Sequence, residues 1–348
     1  MVDHELVVHD RDDDVGLRAI VAIHDTSRGP AVGGCRMWPY ASEDEALRDV
    51  LRLSRAMSYK CALAGLPFGG GKSVIIGDPR RDKSDALLER FGRLVESFDG
   101  AYRVAEDVGI GSADVAVMGR ATRYVAGIHR GEHASGDPSP FTALGVLEGM
   151  RMAVRRRLSR ELADVRVAVQ GVGAVGLELC RGLHGEGASL VVADVDQERA
   201  QSAVELFGAE RVTAAEIYGA EADVFAPCAL GGVIDDRTID GLSARVVAGA
   251  ANVQLAEPRH GDELHHRGIL YAPDYVINAG GVINGSGEIL GTYDAASARR
   301  DVLAIGPRLA DLFDRAAAEA QAPGRVADAM AEAVLEAARE RRVARARS

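Results

Sequence analysis

The stretch Val165-Arg-Val-Ala-Val169-Gln170-Gly171-Val172-Gly173-Ala174-Val175-Gly176 carries the strongest fold signal of the 348-residue chain. A β-branched run ends in glycines spaced Gly-x-Gly-x-x-Gly, and a helical pattern follows them. The next strand-like run ends at Asp194, twenty-three residues after the first glycine. Strand, glycines, helix and acid together predict a dinucleotide-binding βαβ unit.

Each glycine of this stretch has a separate predicted task. Gly171 permits a tight turn, Gly173 lets a pyrophosphate approach the N–H groups at a helix start, and Gly176 allows close helix–strand packing. Asp194 would accept a hydrogen bond from a ribose 2′-hydroxyl and repel a 2′-phosphate, which favours NAD over NADP. Arg199, a few residues on, is the next arginine that could oppose this preference. We expect cofactor contacts at Gly171, Gly173, Ala174, Val175, Gly176 and Asp194.

Outward from this unit, strand-like runs alternate with helical patterns, which indicates an α/β fold with a parallel sheet. A chain of this length usually forms about two domains. We predict an α/β catalytic domain over residues 1–138, to which a C-terminal helix over 318–348 returns, and a Rossmann-type domain over 139–317. The loop rich in Gly, Ser and Pro over 131–140 is the candidate hinge.

In the first domain the pattern places two strands at 5–9 and 17–24, and a helix that begins after Ser42, whose spacing to Glu45 is that of a capping box. That helix ends near Lys60. Strands are expected from Ser73 and over residues 102–108, separated by a helix over 82–98.

Lysine is rare in the chain: three lysines occur against thirty-eight arginines. Lys60 and Lys72 lie twelve residues apart in Lys60-Cys-Ala-Leu-Ala-Gly-Leu-Pro-Phe-Gly-Gly-Gly-Lys72-Ser73, whereas Lys83 is expected to be a solvated loop residue. Unlike arginine, a buried lysine can lose its proton, so Lys72 is a candidate general base and Lys60 a fixed charge for an anionic substrate group. Glu106-Asp107, near the end of the predicted strand over 102–108, offers the balancing carboxylate.

A different class of protein has to be weighed here, because Gly71-Lys72-Ser73 could end a phosphate-binding P-loop. The glycine required five residues before Gly71 would fall on Leu66, and the segment leads from a helix into a strand, the reverse of the P-loop context. An NTPase is therefore disfavoured.

Composition sets further limits. A net charge of −11 argues against nucleic-acid and anionic-membrane partners. No secretory signal or long apolar segment is apparent, so a cytoplasmic protein is expected. The four cysteines are scattered without a Cys-x-x-Cys pair, so neither a metal site nor a disulfide framework is predicted.

With these residues in place, the chain resembles the family of glutamate, leucine, phenylalanine and valine dehydrogenases over most of its length, most strongly the leucine dehydrogenases. The motifs that carry the resemblance are Ala22-Ile-His-Asp-Thr26, Gly29-Pro-Ala-Val-Gly-Gly-Cys-Arg36-Met-Trp-Pro-Tyr40, Met57-Ser-Tyr-Lys60, Gly69-Gly-Gly-Lys72, Ala105-Glu-Asp107-Val-Gly109, Phe225-Ala-Pro-Cys-Ala-Leu-Gly-Gly232, Gly249-Ala-Ala-Asn252 and Tyr271-Ala-Pro-Asp-Tyr-Val-Ile-Asn278.

The resemblance implies a role for each matching residue. Lys60 would bind the substrate α-carboxylate, Lys72 and Asp107 would be catalytic, and Asn252 and Asn278 would line the substrate and nicotinamide site. The expected specificity positions are Val32, Gly33, Ala105, Thr142, Val282 and Gly285. Further cofactor contacts are expected at Cys228, Ala229 and Asn252. Val253 stands where the family has a second asparagine.

The resemblance also implies the reaction: reversible NAD-dependent oxidative deamination of an apolar L-amino acid to a 2-oxo acid and ammonia, in a cleft between the domains of a homo-oligomer, a dimer or an octamer. Val32 replaces the lysine of glutamate dehydrogenases, so a branched-chain substrate is expected. Val282 would crowd an aromatic ring, whereas Gly285 would open space. Phenylalanine or another aromatic substrate remains the alternative, and a non-catalytic NAD-binding protein is the alternative of a different class.

Overall fold

The structure is a computed structural model that describes residues 4–127 and 134–347. The first three residues of the expected hinge, 131–133, lie outside the described residues. The β-strands are β1 (Leu6–Asp12), β2 (Leu17–Asp25), β3 (Ala31–Trp38), β4 (Gly69–Ile76), β5 (Tyr102–Ala105), β6 (Arg166–Gln170), β7 (Ser189–Ala193), β8 (Glu210–Arg211), β9 (Val224–Pro227), β10 (Val246–Val247) and β11 (Leu270–Tyr271). The α-helices are α1 (Glu43–Leu63), α2 (Asp85–Glu96), α3 (Ser112–Met118), α4 (Ser139–Leu158), α5 (Ala174–Gly185), α6 (Gln197–Phe207), α7 (Arg259–His266), α8 (Asp274–Ile277), α9 (Gly280–Leu290), α10 (Ala295–Leu303), α11 (Ile305–Glu319) and α12 (Pro323–Arg347).

Contacts divide the chain into two compact units. The first contains residues 1–137, 285–294 and 330–348, and the second contains residues 138–284 and 295–329. The sequence-based ranges placed residues 285–294 in the second domain. They group with the first because the carboxylate of Glu288 accepts backbone N–H bonds from Gly127 at 2.8 Å and Ser135 at 3.0 Å.

The C-terminal helix begins later than expected, at Pro323, since α11 ends at Glu319 and Ala320 adopts a left-handed conformation. Only its part from Met330 groups with the first unit. There Arg339 Nε donates to Asp25 Oδ2 at 2.7 Å.

The first unit is built on a five-stranded mixed sheet in the order β1-β2-β4-β3-β5. The two strands predicted at the start of the chain are present and pair antiparallel as β1 and β2, and β4 runs antiparallel to β2 but parallel to β3. One face of the sheet packs Ile20 and Val74 against Val50 of α1. The opposite face covers a larger core that includes Phe91 of α2 and Met118 of α3.

Helix α1 starts where its capping residues predict. Ser42 has an extended backbone, and its hydroxyl accepts the N–H of Glu45 at 3.1 Å. The Glu45 carboxylate in turn accepts the N–H of Ala41 at 2.8 Å. Acidic residues in the first turn and Lys60 in the last turn both complement the helix dipole.

The second unit contains a six-stranded parallel sheet in the order β8-β7-β6-β9-β10-β11. Numbered within the unit, this order is 3-2-1-4-5-6, which is that of dinucleotide-binding folds. The predicted two-domain α/β architecture is therefore confirmed. The strand order reverses between β6 and β9, and in such sheets a ligand binds at that point, outside the carboxyl ends of the strands.

Candidate active site and cofactor site

Lys72 lies inside strand β4, because this strand begins at Gly69 and not at Ser73 as expected from the sequence. The three glycines are themselves strand residues: Gly70 and Gly71 pair with β2, and Gly69 and Gly70 pair with β3. Their backbone is thus engaged in a central strand and cannot wrap a phosphate, which removes the P-loop alternative.

The side chain of Lys72 forms an ion pair with Asp107. Both side chains are largely buried, with exposed fractions of 7% for Lys72 and 12% for Asp107. Asp107 follows β5, which ends at Ala105 instead of continuing to residue 108, and it stands in a tight turn closed by Asp107 N–H···O=C Ile110 at 3.1 Å and its reciprocal bond at 2.9 Å. The first unit therefore brings the Lys72 ammonium and the Asp107 carboxylate together.

Arg36 completes this charge cluster. Its Nε lies 3.4 Å from Asp107 Oδ2, and its Nη1 donates to Asp49 Oδ2 at 2.9 Å. Burial by itself would raise the pKa of Asp107, but the charges of Lys72 and Arg36 outweigh it and hold this pKa well below its usual range. Asp107 is consequently a carboxylate at neutral pH.

The last turn of α1 reaches this strand through a close backbone contact. A Cβ atom on Gly70 would lie 2.0 Å from the backbone nitrogen of Ser58, so only glycine permits this approach. Lys60 is two residues further along α1 and its side chain is buried. Both lysines singled out from the sequence therefore belong to elements that pack directly against each other.

Lys83 does not behave as the solvated residue that was expected, and that prediction is wrong. Its Nζ donates to the carbonyl oxygen of Gly109 at 3.1 Å and to Asp114 Oδ2 at 2.7 Å. Arg36 was given no role from the sequence, although a charged residue within the apolar run of β3 was a usable signal.

The glycines after β6 adopt the geometry that a dinucleotide loop requires. Gly171 has φ +93°, and a Cβ on Gly176 would lie 2.0 Å from the Gly171 carbonyl oxygen. Gly173 is the N-cap of α5, whose first residues are Ala174 and Val175. A Cβ on Gly171 would meet Ala229 at 2.7 Å, which places the residue after Cys228 beside the loop, at the reversal point of the sheet.

Asp194 closes the other side of this loop. Its carboxylate accepts the N–H of Val172 at 2.8 Å and the N–H of Asp196 at 2.9 Å. Arg199 also approaches, because its Nη1 lies 3.7 Å from the position of a Cβ on Gly173. The glycine loop over 171–176 is thus open to a pyrophosphate. It is bordered by the Asp194 carboxylate and the Arg199 guanidinium, which fits a nicotinamide dinucleotide.

The two predicted asparagines of the second unit lie next to each other. Asn278 Nδ2 donates to Asn252 Oδ1 at 3.0 Å and to the carbonyl oxygen of Ala250 at 3.0 Å. Buried Gln254 fixes the same loop, since its Nε2 donates to the Gly249 carbonyl at 2.8 Å. Val253 has φ +53°, a left-handed conformation that is strained for a β-branched residue and suits asparagine better.

The expected specificity positions divide between the two units. Val32 and Gly33 are buried in β3, and Ala105 ends β5. Thr142 in α4 donates to the Pro138 carbonyl at 3.0 Å. Val282 and Gly285 are half-buried in α9, and a Cβ on Gly285 would meet no atom within 4 Å.

The described residues contain no group of three or more His, Cys, Asp or Glu side chains arranged to hold a metal ion. Within 4–127 and 134–347 no helix combines the length and the hydrophobicity that crossing a bilayer would need. Cys35, Cys61 and Cys180 are buried free thiols, and Cys228 is a half-buried one.

This combination of a parallel dinucleotide-binding sheet with a buried lysine–aspartate pair defines a nicotinamide-dependent dehydrogenase. Sequence profiles make the assignment specific. One, described as the dimerisation domain of Glu/Leu/Phe/Val dehydrogenase, matches residues 3–124, and another, described as glutamate/leucine/phenylalanine/valine dehydrogenase, matches residues 192–337. The chain belongs to this family of amino-acid dehydrogenases, so the family prediction and the predicted enzyme class are confirmed.

Individual members of this family are similar to the chain over most of its length. Leucine dehydrogenase of Geobacillus stearothermophilus is 50% identical over 341 residues, which cover 98% of this chain and 93% of that protein. Phenylalanine dehydrogenase of Caldalkalibacillus thermarum is 45% identical over 320 residues, 90% of this chain and 86% of that protein. The crystal structure of L-tryptophan dehydrogenase from Nostoc punctiforme superposes with a TM-score of 0.79 at 42% identity and covers 97% of each chain.

Proposed function

We propose that the protein catalyses the reversible NAD-dependent oxidative deamination of a branched-chain L-amino acid to its 2-oxo acid and ammonia. The observation that carries the proposal is the buried ion pair of Lys72 and Asp107. Lys72 lies on β4, the strand against which the last turn of α1, with Lys60, packs. Leucine dehydrogenases at about 50% identity over nearly the whole chain support the substrate class.

Substrate binding follows from the charges of the first unit. Lys60 supplies a compact positive charge for the α-carboxylate. The side-chain pocket is apolar at Val32 and Ala105, so a second carboxylate there would be buried without a cation, which makes glutamate a poor substrate. An aliphatic side chain is stabilised by the same surfaces.

Proton transfer is the task of the ion pair. Asp107, held as a carboxylate, accepts a proton from the substrate nitrogen while the Cα hydrogen leaves as hydride, so that the amino acid becomes an imino acid. Once Asp107 carries this proton, its ion pair with Lys72 is lost, and Lys72 can pass its own proton to solvent. As an amine, Lys72 then takes a proton from the water that attacks the imine carbon, while Asp107 returns its proton to the nitrogen. Asp107 next carries the hydroxyl proton of this adduct to the nitrogen, so that the C–N bond breaks and ammonia and the 2-oxo acid are released.

Nicotinamide bound in the second unit supplies the hydride acceptor. Gly173 and the start of α5 would hold the pyrophosphate, and Asp194 would accept the hydroxyls of the adenosine ribose. Val195, which is 90% exposed beside Asp194, offers an apolar surface for the adenine ring and was not anticipated from the sequence. Asn252 and Asn278, which are joined by a hydrogen bond of 3.0 Å from Asn278 Nδ2 to Asn252 Oδ1, would orient the nicotinamide amide and the substrate.

An aromatic substrate is the second candidate, because a Cβ on Gly285 meets open space. Relatives named phenylalanine dehydrogenase and L-tryptophan dehydrogenase are 45% and 47% identical. Discrimination by a few methylene groups is worth only about 1–3 kcal/mol each, so several apolar amino acids are expected to react.

The test is an initial-rate panel of L-Leu, L-Val, L-Ile, L-Phe, L-Trp and L-Glu, each with NAD and with NADP at alkaline pH. We expect NADH with the three branched-chain substrates and little product with L-Glu. Absence of NADH with every amino acid would refute the activity, and a preference for L-Phe would refute the branched-chain assignment alone.

Lys72→Arg tests the mechanism within the same assay. Arginine keeps the positive charge but does not release its proton, so turnover should fall by about 10²–10⁴-fold. Arg81→Gln is the control, because the Arg81 side chain is 77% exposed and pairs with its neighbour Asp82. Normal turnover in Lys72→Arg would contradict the assigned base.

We also propose that the protein self-associates. The profile that matches residues 3–124 describes a dimerisation domain, which supports a homo-oligomer, either a dimer or an octamer. Light scattering after size exclusion distinguishes these masses from that of a monomer of 36.7 kDa.

A further inference from the structure

Asp107 lies in a short turn beyond the end of β5, so its backbone is not held by pairing with a neighbouring strand of the sheet. Strand β3 secures one side of this turn, since Met37 N–H donates to the Val108 carbonyl at 2.9 Å. Gly109 has φ +80°, and a Cβ there would lie 2.2 Å from the Met37 carbonyl oxygen, so turn and strand are in backbone contact. The β3 side is therefore fixed, and the opposite side needs its own support.

Lys83 provides that support from the connection between β4 and α2. Its ammonium donates to the Gly109 carbonyl at 3.1 Å and to Asp114 Oδ2 at 2.7 Å, and the same Asp114 oxygen accepts the N–H of Gly111 at 2.9 Å. The Lys83 and Asp114 side chains are 27% and 19% exposed, so solvent screens the pair less than it would a surface pair. One cation thus ties both ends of the segment Gly109–Asp114.

We propose that Lys83 is a positioning residue for the reaction: it fixes the turn Asp107–Gly111 so that the Asp107 carboxylate stays against the Lys72 ammonium. This role rests on the proposed function of Asp107. It also gives all three lysines of the chain a part in one site. Lys83 itself touches no reacting atom, because its ammonium is bound to the far end of the turn.

The charged groups around Asp107 set the expected sign of a pH effect. Lys72 faces it from β4 and Arg36 from β3, while Asp49 of α1 pairs with the other end of the Arg36 guanidinium. If the turn loosens, Asp107 moves away from Lys72, and its pKa rises toward the ordinary value. The pH profile of the Asp107 carboxyl itself, followed by 13C NMR, would then shift to higher pH.

The experiment compares Lys83→Met, which keeps the aliphatic stem, with Lys83→Arg, which keeps the charge. We expect kcat for L-leucine oxidation to fall by about tenfold to a hundredfold in Lys83→Met, because a displacement of about 1 Å at a catalytic group costs up to 10²-fold. The NMR pH profile of the Asp107 carboxyl should shift upward, the KM for NAD should stay unchanged, and Lys83→Arg should recover most of kcat. A crystal structure of Lys83→Met should show the Lys72–Asp107 contact broken.

Arg81→Met is the matched control, since Arg81 lies in the same connection, is exposed and pairs with Asp82. It should keep the wild-type kcat and pH profile. Asp114→Asn should reproduce part of the Lys83→Met loss, and the double variant should lose less than the product of the two single losses.

A purely structural role makes different predictions. Lys83→Met would then lower the melting temperature, while the folded fraction kept the wild-type kcat and pH profile, and this result would overturn the proposal. Asp107→Asn with wild-type turnover would overturn the proposed function and this role with it. An inactive Asp107→Asn beside a fully active Lys83→Met would overturn the role of Lys83 alone.

Discussion

Gly70→Ala tests how closely the packing of α1 on β4 controls the site. A Cβ at position 70 would lie 2.0 Å from the backbone nitrogen and 2.4 Å from the Oγ of Ser58, whereas ordinary contact begins at 3.4 Å. Gly70 is not among the residues with positive φ, so the alanine backbone is unstrained and the perturbation is purely steric. Because the closest contact is with helix backbone, α1 has to move by about 1 Å or more.

Two measurable losses follow. Overpacking of this kind destabilises a protein by about 1–3 kcal/mol, which corresponds to about 2–4 °C in Tm for each kcal/mol. The movement carries Lys60 away from the strand of Lys72, so kcat/KM for L-leucine should fall by up to about 10²-fold. Most of this loss should appear in the KM for the amino acid, because Lys60 is assigned to carboxylate binding.

The assay is steady-state NADH formation together with calorimetric melting. Gly185→Ala is the matched control: it adds the same methyl group in helix α5, where a Cβ meets nothing within 4 Å. It should leave kinetics unchanged and raise stability by up to about 1 kcal/mol. Wild-type kinetics and melting in Gly70→Ala would refute the argument that this contact positions Lys60.

Three further predictions follow from single contacts. Gly285→Val fills open space in α9, so the ratio of kcat/KM for L-Leu over L-Phe should rise by about tenfold or more, and an unchanged ratio would remove residue 285 from the pocket. Asp194→Ala removes the charge that repels a 2′-phosphate and leaves Arg199 beside the loop, so the Kd of NADPH, measured by fluorescence, should decrease relative to that of NADH. Arg36→Met removes one of the cations that depress the pKa of Asp107, so this pKa should rise. A depressed carboxyl pKa contributes stability above the unfolded-state pKa, and this stability is lost as the pH falls through the folded-state pKa. Acid unfolding should therefore begin at higher pH in this variant, and an unshifted transition would contradict the electrostatic account.

The sequence predicted those parts of the molecule that are determined by neighbours along the chain. The glycines at 171, 173 and 176 need a specific backbone geometry within a few residues of a strand end, so their spacing, together with the strand before, the helix after and Asp194, predicted the dinucleotide loop. The start of α1 was readable for the same reason, because Ser42 and Glu45 satisfy N–H groups only a few residues away. The rarity of lysine pointed to Lys60 and Lys72, which lie on α1 and β4, two elements that pack against each other.

Parts that depend on long-range contacts were not readable in this way. Residues 285–294 belong with the first unit because Glu288 binds backbone groups that lie 161 and 153 residues earlier in the chain. Strand β5 stops at Ala105 since the following residues turn against β3, and no local pattern records that partner.

The sequence by itself determined the fold class, the dinucleotide loop and the choice of two lysines and one aspartate. Only the tertiary structure decided that Lys72 lies in the middle of a strand and that Arg36, like Lys72, pairs with the Asp107 carboxylate. It also decided that Lys83 donates a hydrogen bond to Gly109, in the turn that follows Asp107. The physical reason is that backbone conformation depends on local chemistry, whereas the ionisation and the position of a buried charge depend on every group that folding brings within a few ångströms of it.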